Sequence, residues 1–206
     1  KSFMVYTKKQ IEQLAKIMGI DKEMVSLLKY IRPKNQIING FSKHLAKVFS
    51  KLSLKKNWII LDLPCGQGGV SIPLAEKYQI KVTGFDIVPE YIKFANEMAR
   101  EKEVDNLCKF KVGDIAKIAK KENICDVLLW VAPPHVFGKA KATIKALRRL
   151  VKNNGLIVIG DAYLLPGIKS DGSLKNYENL IKTQQDYAAF GDEFLFFQDF
   201  KDTPWN

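Results

Sequence analysis

The sequence contains little cysteine, little histidine and no long apolar run. Its 206 residues include three cysteines and two histidines. Cys65, Cys108 and Cys125 are odd in number and lack CxxC spacing, which argues against a disulfide framework and against a zinc site. No apolar stretch approaches the roughly 20 residues that cross a bilayer, and the N-terminus shows no secretory signal pattern. We therefore expect no metal, no membrane partner and a reducing cytoplasmic location.

Acidic residues are scarce at one end of the chain. Residues 1–57 carry 13 Lys and Arg against three acids, whereas residues 58–206 carry 20 against 19. Nearly all of the net charge of +11 therefore lies in the first quarter of the sequence. Such a segment can attract an anionic substrate, a nucleic acid or an acidic protein surface. A solvated lysine-rich surface remains the alternative, because the lysines are spread along helical periods.

Residues 1–57 read as a helical extension or cap. Apolar residues recur at helical spacing from Ile11 to Met18, and Gly19 is a plausible end of that helix. A second short helix is predicted after Asp21. A third apolar stripe runs from Ile38 to Leu52, and this face is predicted to pack on the body of the protein.

Residues 58–206 read as an α/β domain with a doubly wound, mostly parallel sheet, because β-branched runs alternate with helical stretches. Strands are predicted at Trp58 to Leu63, Lys81 to Asp86, Lys109 to Val112, Ile124 to Val131 and Leu156 to Ile159. Crossover helices are predicted at Val70 to Lys77, Pro89 to Glu103 and Gly138 to Lys152, the last ended by Asn153-Asn154-Gly155. One helix, Tyr177 to Phe190, and one strand, Glu193 to Phe200, are predicted beyond them.

The glycine-rich segment LDLPCGQGG, Leu61 to Gly69, follows the first predicted strand and precedes a helix. Backbone N–H groups and a helix N-terminus can contact a ligand at such a turn. The dinucleotide pattern GxGxxG is incomplete, because Ser71 occupies the third glycine position. Asp62 would repel a pyrophosphate but could pair with an ammonium group, so the loop favours a ligand with a positive amino group. Helix capping or pairing with a lysine remains open for Asp62.

Two further acids end the second and third predicted strands. Asp86 follows Gly66 by 20 residues, a position from which a carboxylate can accept both hydroxyls of a ribose. Asp114 can accept from an exocyclic amine while Ile87 and Ile115 enclose an adenine ring. The alternatives are an ordinary acid at a helix N-terminus for Asp86 and a turn residue for Asp114.

From Trp58 to Tyr163 the chain resembles class I S-adenosylmethionine-dependent methyltransferases of the small-molecule type. The motifs are LDLPCGQGG, GFDIVPEYIKFA, VGDI, CDVLLWVAPPHVFG and LRRLVKNNGLIVIGDAY. The resemblance implies a cofactor, S-adenosylmethionine, whose product is S-adenosylhomocysteine. It implies that Asp62, Gly66 and Gly68 hold the methionine part, Asp86 the ribose, and Asp114 with Ile115 the adenine. The remaining predicted cofactor contacts are Pro64, Cys65, Ile87, Gly113 and Trp130.

Some positions depart from the family pattern or permit a second interpretation. Pro64 replaces the usual first glycine of the loop, so no positive φ is needed there. Cys65 also fits the tight loop simply as a small residue, and Trp130 is either a wall of the cleft or core. The terminal antiparallel hairpin of the family is expected to be incomplete.

The methyl acceptor is expected near the carboxyl end of the fourth strand. His135 lies there, and an imidazole exchanges protons near neutral pH, so it is a candidate catalytic base. A role limited to lining the cleft remains open. Tyr6, Tyr163 and His135 are the predicted acceptor contacts. The acceptor is expected to be a small molecule, and the basic cap suggests that it is anionic.

Three other functions remain open from the sequence. An RNA or protein methyltransferase would use the basic extension to bind its substrate. A nicotinamide oxidoreductase would need the dinucleotide turn. A non-enzymatic module would bind the cofactor without methylating an acceptor. The oligomeric state is left open.

Overall fold

Five parallel strands form a sheet in the computed structural model, which describes residues 7–18, 22, 45–169 and 175–193. The strand order is β3-β2-β1-β4-β5. The sheet order changes direction between β1 and β4, which creates a crevice at the carboxyl ends of the strands. The strands are β1 Ile59–Asp62, β2 Lys81–Asp86, β3 Cys108–Val112, β4 Cys125–Val131 and β5 Val151–Gly160.

Helices lie on both faces of this sheet, so the predicted doubly wound α/β fold is confirmed. Residues 45–49 are also helical. No helix of the described ranges is long and apolar enough to cross a membrane. The helices are α1 Lys8–Met18, α2 Ser71–Tyr78, α3 Pro89–Glu101, α4 Ile115–Ile118, α5 Ala140–Leu147 and α6 Leu180–Tyr187.

Alternate residues of the strands build one apolar cluster on each face. Ile60 and Leu129 pack with Phe49 on the face covered by α2 and α3, whereas Leu128 packs with Leu147 of α5 on the other. Such alternation follows from the two-residue period of a strand. Leu45 of the predicted third stripe is buried in the first of these clusters, and Val48 and Leu52 pack against it. The described part of the stripe therefore packs on the body, as predicted.

The predicted third crossover helix is wrong at its end. Helix α5 ends at Leu147, and β5 already begins at Val151. Cys125 pairs with Val151 but Val127 pairs with Leu156, so the segment Asn153-Asn154-Gly155 forms a bulge within the strand. Asn154 has a positive φ of 63° there. The Asn-Asn-Gly signal therefore marks a left-handed turn inside a strand rather than a helix end.

The first and last predicted helices are present. Helix α1 covers the Ile11 stripe, and its Leu14 and Ala15 pack against Val88 at the start of α3. Helix α6 lies within the predicted stretch 177–190. Gly19, most of the predicted second helix and all but the first residue of the predicted strand 193–200 lie outside the described residues.

Candidate functional site

The glycine-rich loop after β1 lies at the carboxyl edge of the sheet. Gly66 and Gly68 both have positive φ, at 51° and 79°. A Cβ on Gly68 would lie 2.9 Å from Ile72 Cδ1, so that glycine allows α2 to pack closely. A Cβ on Gly66 would meet nothing within 4 Å, so this part of the loop faces open space. Pro64 has no positive φ, as predicted, and follows a cis peptide bond.

Asp86 joins the end of β2 to this loop. Its Oδ2 accepts a hydrogen bond from Gly66 N at 2.9 Å, and its Oδ1 accepts from Val88 N at 2.9 Å. The side chain is buried. Burial raises the pKa of the carboxyl above its ordinary value, and the backbone N–H donors offset part of that rise. The ribose partner expected from the sequence is therefore held rigidly beside Gly66.

Asp62 lies beneath the loop. The side chain is 1% exposed, and its Oδ2 accepts a hydrogen bond from Ser71 Oγ at 2.5 Å. The pKa of Asp62 is raised to about 7, mainly by burial. The hydrogen bond from Ser71 offsets part of that rise, and the negative charge of Asp86 adds to it. No Lys or Arg of the described residues forms an ion pair with either carboxylate. Two buried acids thus lie close together without a cation.

Asp114 follows β3 at the same edge and caps α4. Its Oδ1 accepts from Ala116 N at 2.9 Å, and the residue is partly exposed. The preceding Gly113 donates its N–H to Asp86 O at 2.8 Å, and a Cβ there would lie 2.8 Å from Phe85 Cδ1. Gly113 therefore places Asp114 next to the end of β2. The alternative left open for Asp114 was a turn residue; its side chain instead caps α4, while the residue lies at the edge where the crevice was expected.

Three predicted cofactor contacts are buried in the core. Trp130 is 1% exposed and packs 5.7 Å from the ring of Phe137, so of its two interpretations the core one is correct. Ile115 belongs to the same buried cluster and has little surface left for an adenine ring. Cys65 packs so closely against Gly84 that a Cβ added to this glycine would lie 2.7 Å from Cys65 Cβ. Burial raises the pKa of the Cys65 thiol. Ile87, in contrast, is partly exposed.

His135 lies beyond β4 at the edge of a cavity of about 10 Å³, the space of one water molecule. The ring of Tyr177 meets the imidazole edge-on, with the ring centroids 4.3 Å apart. His135 Nε2 is buried and has no hydrogen-bond partner in the described part of the chain. The cavity is also lined by Asp161 and Glu178. His135 is thus placed at the predicted acceptor side with one ring nitrogen available.

Sequence reasoning missed Asp161 and Tyr187. Asp161 directly follows β5, and its Oδ2 accepts a hydrogen bond from Tyr187 Oη at 2.8 Å. Burial, with the charge of Asp161, raises the pKa of the Tyr187 hydroxyl. An acid at the carboxyl end of a strand was the signal used for Asp62, Asp86 and Asp114, and it applies equally to Asp161. Tyr187 carried no signal, because α6 is distant in sequence.

The two predicted tyrosine contacts differ in what the structure describes. Tyr163 is half-buried, two residues beyond Asp161. Tyr6 lies outside the described residues. No group of three or more His, Cys, Asp or Glu within those residues is arranged to hold a metal ion.

Residues 54–198 match the sequence model of a methyltransferase domain. The chain belongs to this family. Its resemblance to class I S-adenosylmethionine-dependent methyltransferases is thereby confirmed.

The curated relatives of this methyltransferase-domain protein include enzymes named for small-molecule acceptors and one named for RNA. The latter is a 23S rRNA methyltransferase of Shewanella sediminis, 41% identical over 70 residues that cover 34% of this chain and 16% of the relative. Over 103 residues the chain is 38% identical to 2-methyl-6-phytyl-1,4-hydroquinone methyltransferase of Synechocystis, covering 50% of this chain and 31% of the relative. Over 118 residues it is 27% identical to sterol 4-C-methyltransferase strm-1 of Caenorhabditis elegans, covering 57% and 34%. The chain therefore spans about a third of the length of these last two relatives.

Solved structures share the fold. The S-adenosylmethionine-dependent methyltransferase of Thiobacillus denitrificans, solved with S-adenosyl-L-homocysteine, aligns with a TM-score of 0.66 at 24% identity. The alignment covers 77% of this chain and 67% of that one.

Proposed function

We propose that this protein binds S-adenosylmethionine in the crevice between the β1 loop and Asp86 and transfers its methyl group to a small-molecule acceptor. The observation that carries the proposal is the bond from Gly66 N to Asp86 Oδ2, which fixes the loop against the end of β2 while Gly66 faces open space. The backbone can approach a ligand closely at that glycine. Family membership supports the same reaction.

The charges of the crevice fit a cationic cofactor. Asp62 and Asp86 are buried near each other, and burial raises the pKa of both carboxyls. A positive ammonium or sulfonium group nearby favours their charged forms. Because Asp62 is almost wholly buried, it acts on the ligand through its charge and through the Ser71 bond that holds α2 beneath the loop. Asp86 and Asp114 would hold the ribose and adenine, with Ile87 offering the accessible apolar side.

The donor supplies an already activated methyl group when it is bound, so the protein mainly aligns the two reactants. Good alignment is worth up to about 7–11 kcal/mol. His135 is the base of this proposal, taking a proton from an acceptor hydroxyl, thiol or amine, and its unpartnered Nε2 supports that role. Asp161 and Glu178 border the same cavity, which favours an acceptor group that donates a hydrogen bond. Tyr163 belongs to the same proposed acceptor side.

Two acceptor classes follow from different observations. Two of the relatives are named for a phytyl hydroquinone and a sterol, which favours a lipophilic acceptor with a hydroxyl group. The basic residues of 1–57 favour an anionic one, and Tyr6 is proposed as a contact to the acceptor of either class. A panel containing prenylated phenols, sterols and acidic aromatic compounds, assayed by release of S-adenosylhomocysteine, distinguishes these classes. Cofactor binding without turnover on any member would leave a non-enzymatic module as the better account.

The role of His135 is tested by His135→Asn and His135→Ala with the acceptor found in that panel. A base is expected to contribute roughly 100-fold or more to turnover, and its loss should remove the pH dependence of the rate near neutrality. Unchanged turnover in both variants would leave His135 as a lining residue. Thr183→Val is a control at the same cavity that leaves His135 in place.

The proposed location is a reducing compartment such as the cytoplasm. Cys65, Cys108 and Cys125 are all free and buried thiols, and burial raises the pKa of each. Reactivity of a thiol requires the thiolate and access, so these cysteines serve packing.

A further inference from the structure

Two exposed aliphatic side chains lie just beyond β5, and a third lies at the start of α6, which a backbone bridge between Leu164 and Asn179 joins to the same segment. Leu165, Ile168 and Ile181 are 56%, 53% and 68% exposed. Only two other large hydrophobic side chains, Ile59 and Val112, are exposed in the described part of the chain. We call Leu165, Ile168 and Ile181 the apolar tip. Concentrated exposed apolar surface of this kind marks a contact site more often than scattered single residues do.

Backbone hydrogen bonds hold the apolar tip in place. Ile168 N donates to Leu165 O at 3.1 Å, and Gly167 between them has a φ of 86°, so the segment is a tight reverse turn. Leu164 N donates to Glu178 O at 2.8 Å, which joins the base of this turn to the residues before α6. Ile181 lies in the first turn of α6. The exposed side chains are therefore presented on a fixed backbone.

A groove rich in lysine meets the base of the turn at Glu178, which lines the groove and whose carbonyl accepts from Leu164 N. It measures about 510 Å³ and lies between α5 and α6. Glu178 and Asp186 are its only carboxylates, and each is paired with one lysine. Lys141 and Lys145 have no ion-pair partner among the described residues, so the groove carries a net positive charge. Its lysines are Lys139, Lys141, Lys145 and Lys182.

We propose that the apolar tip and this groove form a docking surface for an anionic lipid bilayer. The aliphatic side chains enter the interface while Lys141 and Lys145 contact lipid phosphates, as in other interfacial proteins. The net charge of +11 acts in the same direction. A second copy of this chain, equally positive, would be repelled at this face. Peripheral docking of this kind needs no membrane span, and it revises the expectation that the protein has no membrane partner.

The docking surface follows the carboxyl end of β5, on the same edge of the sheet as the loop after β1. Asp161 and Glu178, which border the His135 cavity, belong to the segment that carries the apolar tip. Docking would thus bring the acceptor side of the crevice close to the lipid. A lipophilic acceptor could then pass from the bilayer to the site without crossing water.

The test is co-sedimentation of the whole chain with phosphatidylcholine vesicles, with and without phosphatidylglycerol, in the absence of cofactor and acceptor. The result therefore stands apart from the proposed methyl transfer. We expect binding to the anionic vesicles that weakens with salt, and at least about tenfold weaker partitioning for the double variant Leu165→Ser/Ile168→Ser. The double variant Lys141→Gln/Lys145→Gln should also bind less. Ile59→Ser, at the opposite edge of the sheet, should bind like the parent.

Several results would overturn the proposal. One is no binding of the parent protein to anionic vesicles, and another is equal binding of the Leu165→Ser/Ile168→Ser variant. A fall of more than about 4 °C in the melting temperature of that variant would mean that the side chains are packed within the protein. If the parent protein is a dimer and the Leu165→Ser/Ile168→Ser variant is a monomer, the surface serves self-association instead.

Discussion

At the scale of single residues, the buried carboxylate of Asp62 opposes stability in the ligand-free protein. Its pKa is about 7 because burial disfavours the charged form. At pH values between the ordinary carboxyl pKa of 3.8 and about 7, the folded state therefore binds more protons than the unfolded state. Stability accordingly falls as the pH rises through that window and then levels off. A bound cation reverses this effect, since it favours the ionised carboxylate.

Asp62→Asn should therefore raise stability and weaken cofactor binding. At pH 8 we expect the free energy of unfolding of the ligand-free variant to rise by roughly 1–4 kcal/mol, because an uncharged amide replaces a buried charge and can still accept from Ser71. Affinity for S-adenosylmethionine should fall about tenfold or more. Chemical denaturation at pH 5 and pH 8, with calorimetry for binding, measures both.

Asp105→Asn is the control for this comparison, since Asp105 is exposed and far in sequence from the loop. Asp105→Asn should change neither the free energy of unfolding nor the affinity for S-adenosylmethionine. A variant at Asp62 that is less stable than the parent at pH 8 would show that the carboxylate already has a favourable partner.

At the scale of structural elements, the loop between β1 and α2 combines two glycines with different tasks. Gly68 allows Ile72 and Phe110 to approach, whereas Gly66 leaves open space at the crevice. Sequence spacing identified both glycines but could not separate these tasks, because they depend on contacts with β3 and α2. The same limit applies to Trp130, near the end of β4, and to Ile115, which follows β3. Their positions fitted a cleft, but both side chains are buried in the core.

Alanine at these two glycines should separate packing from binding. Gly68→Ala is expected to cost about 1–3 kcal/mol of stability, because its Cβ would crowd two side chains at a positive φ. Gly66→Ala should lower the free energy of unfolding by only about 1–2 kcal/mol, because it strains the backbone conformation alone. It should weaken cofactor binding more than Gly68→Ala does. Thermal melts and calorimetric titration of both variants provide the comparison. Greater loss of affinity in Gly68→Ala would contradict this assignment.

At the scale of the whole molecule, the parallel sheet and three of the acids at its carboxyl edge, Asp62, Asp86 and Asp114, were predictable from the sequence. Alternating β-branched runs and helices dictate a parallel sheet, and that topology brings the ends of β1, β2 and β3 together. The bulge in β5 and the bond between Asp161 and Tyr187 were not predictable. Both arise from pairings across the fold. The bulge depends on the register against β4, and the bond depends on the packing of α6 against α5.

The uneven charge of the chain gives a prediction about nucleic acids. Because the excess positive charge is in residues 1–57, we expect any RNA binding to be weak, non-specific and steeply reduced between 50 and 200 mM salt, about the range in which phosphate contacts are screened. No methyl group should be transferred to RNA. Filter binding across that salt series, with tritiated cofactor, checks both points. Methylated RNA would favour a nucleic-acid methyltransferase instead.

The most direct test of the account is calorimetric titration of the whole chain with S-adenosylhomocysteine, with NADH as the comparison ligand. We expect one molecule of S-adenosylhomocysteine per chain, no binding of NADH, and at least about tenfold weaker binding in Asp86→Ala, because that change releases Gly66 N from β2. A cooperative melt must show that the variant is folded. Binding of NADH in place of S-adenosylhomocysteine, or equal affinity in a folded Asp86→Ala protein, would contradict the account.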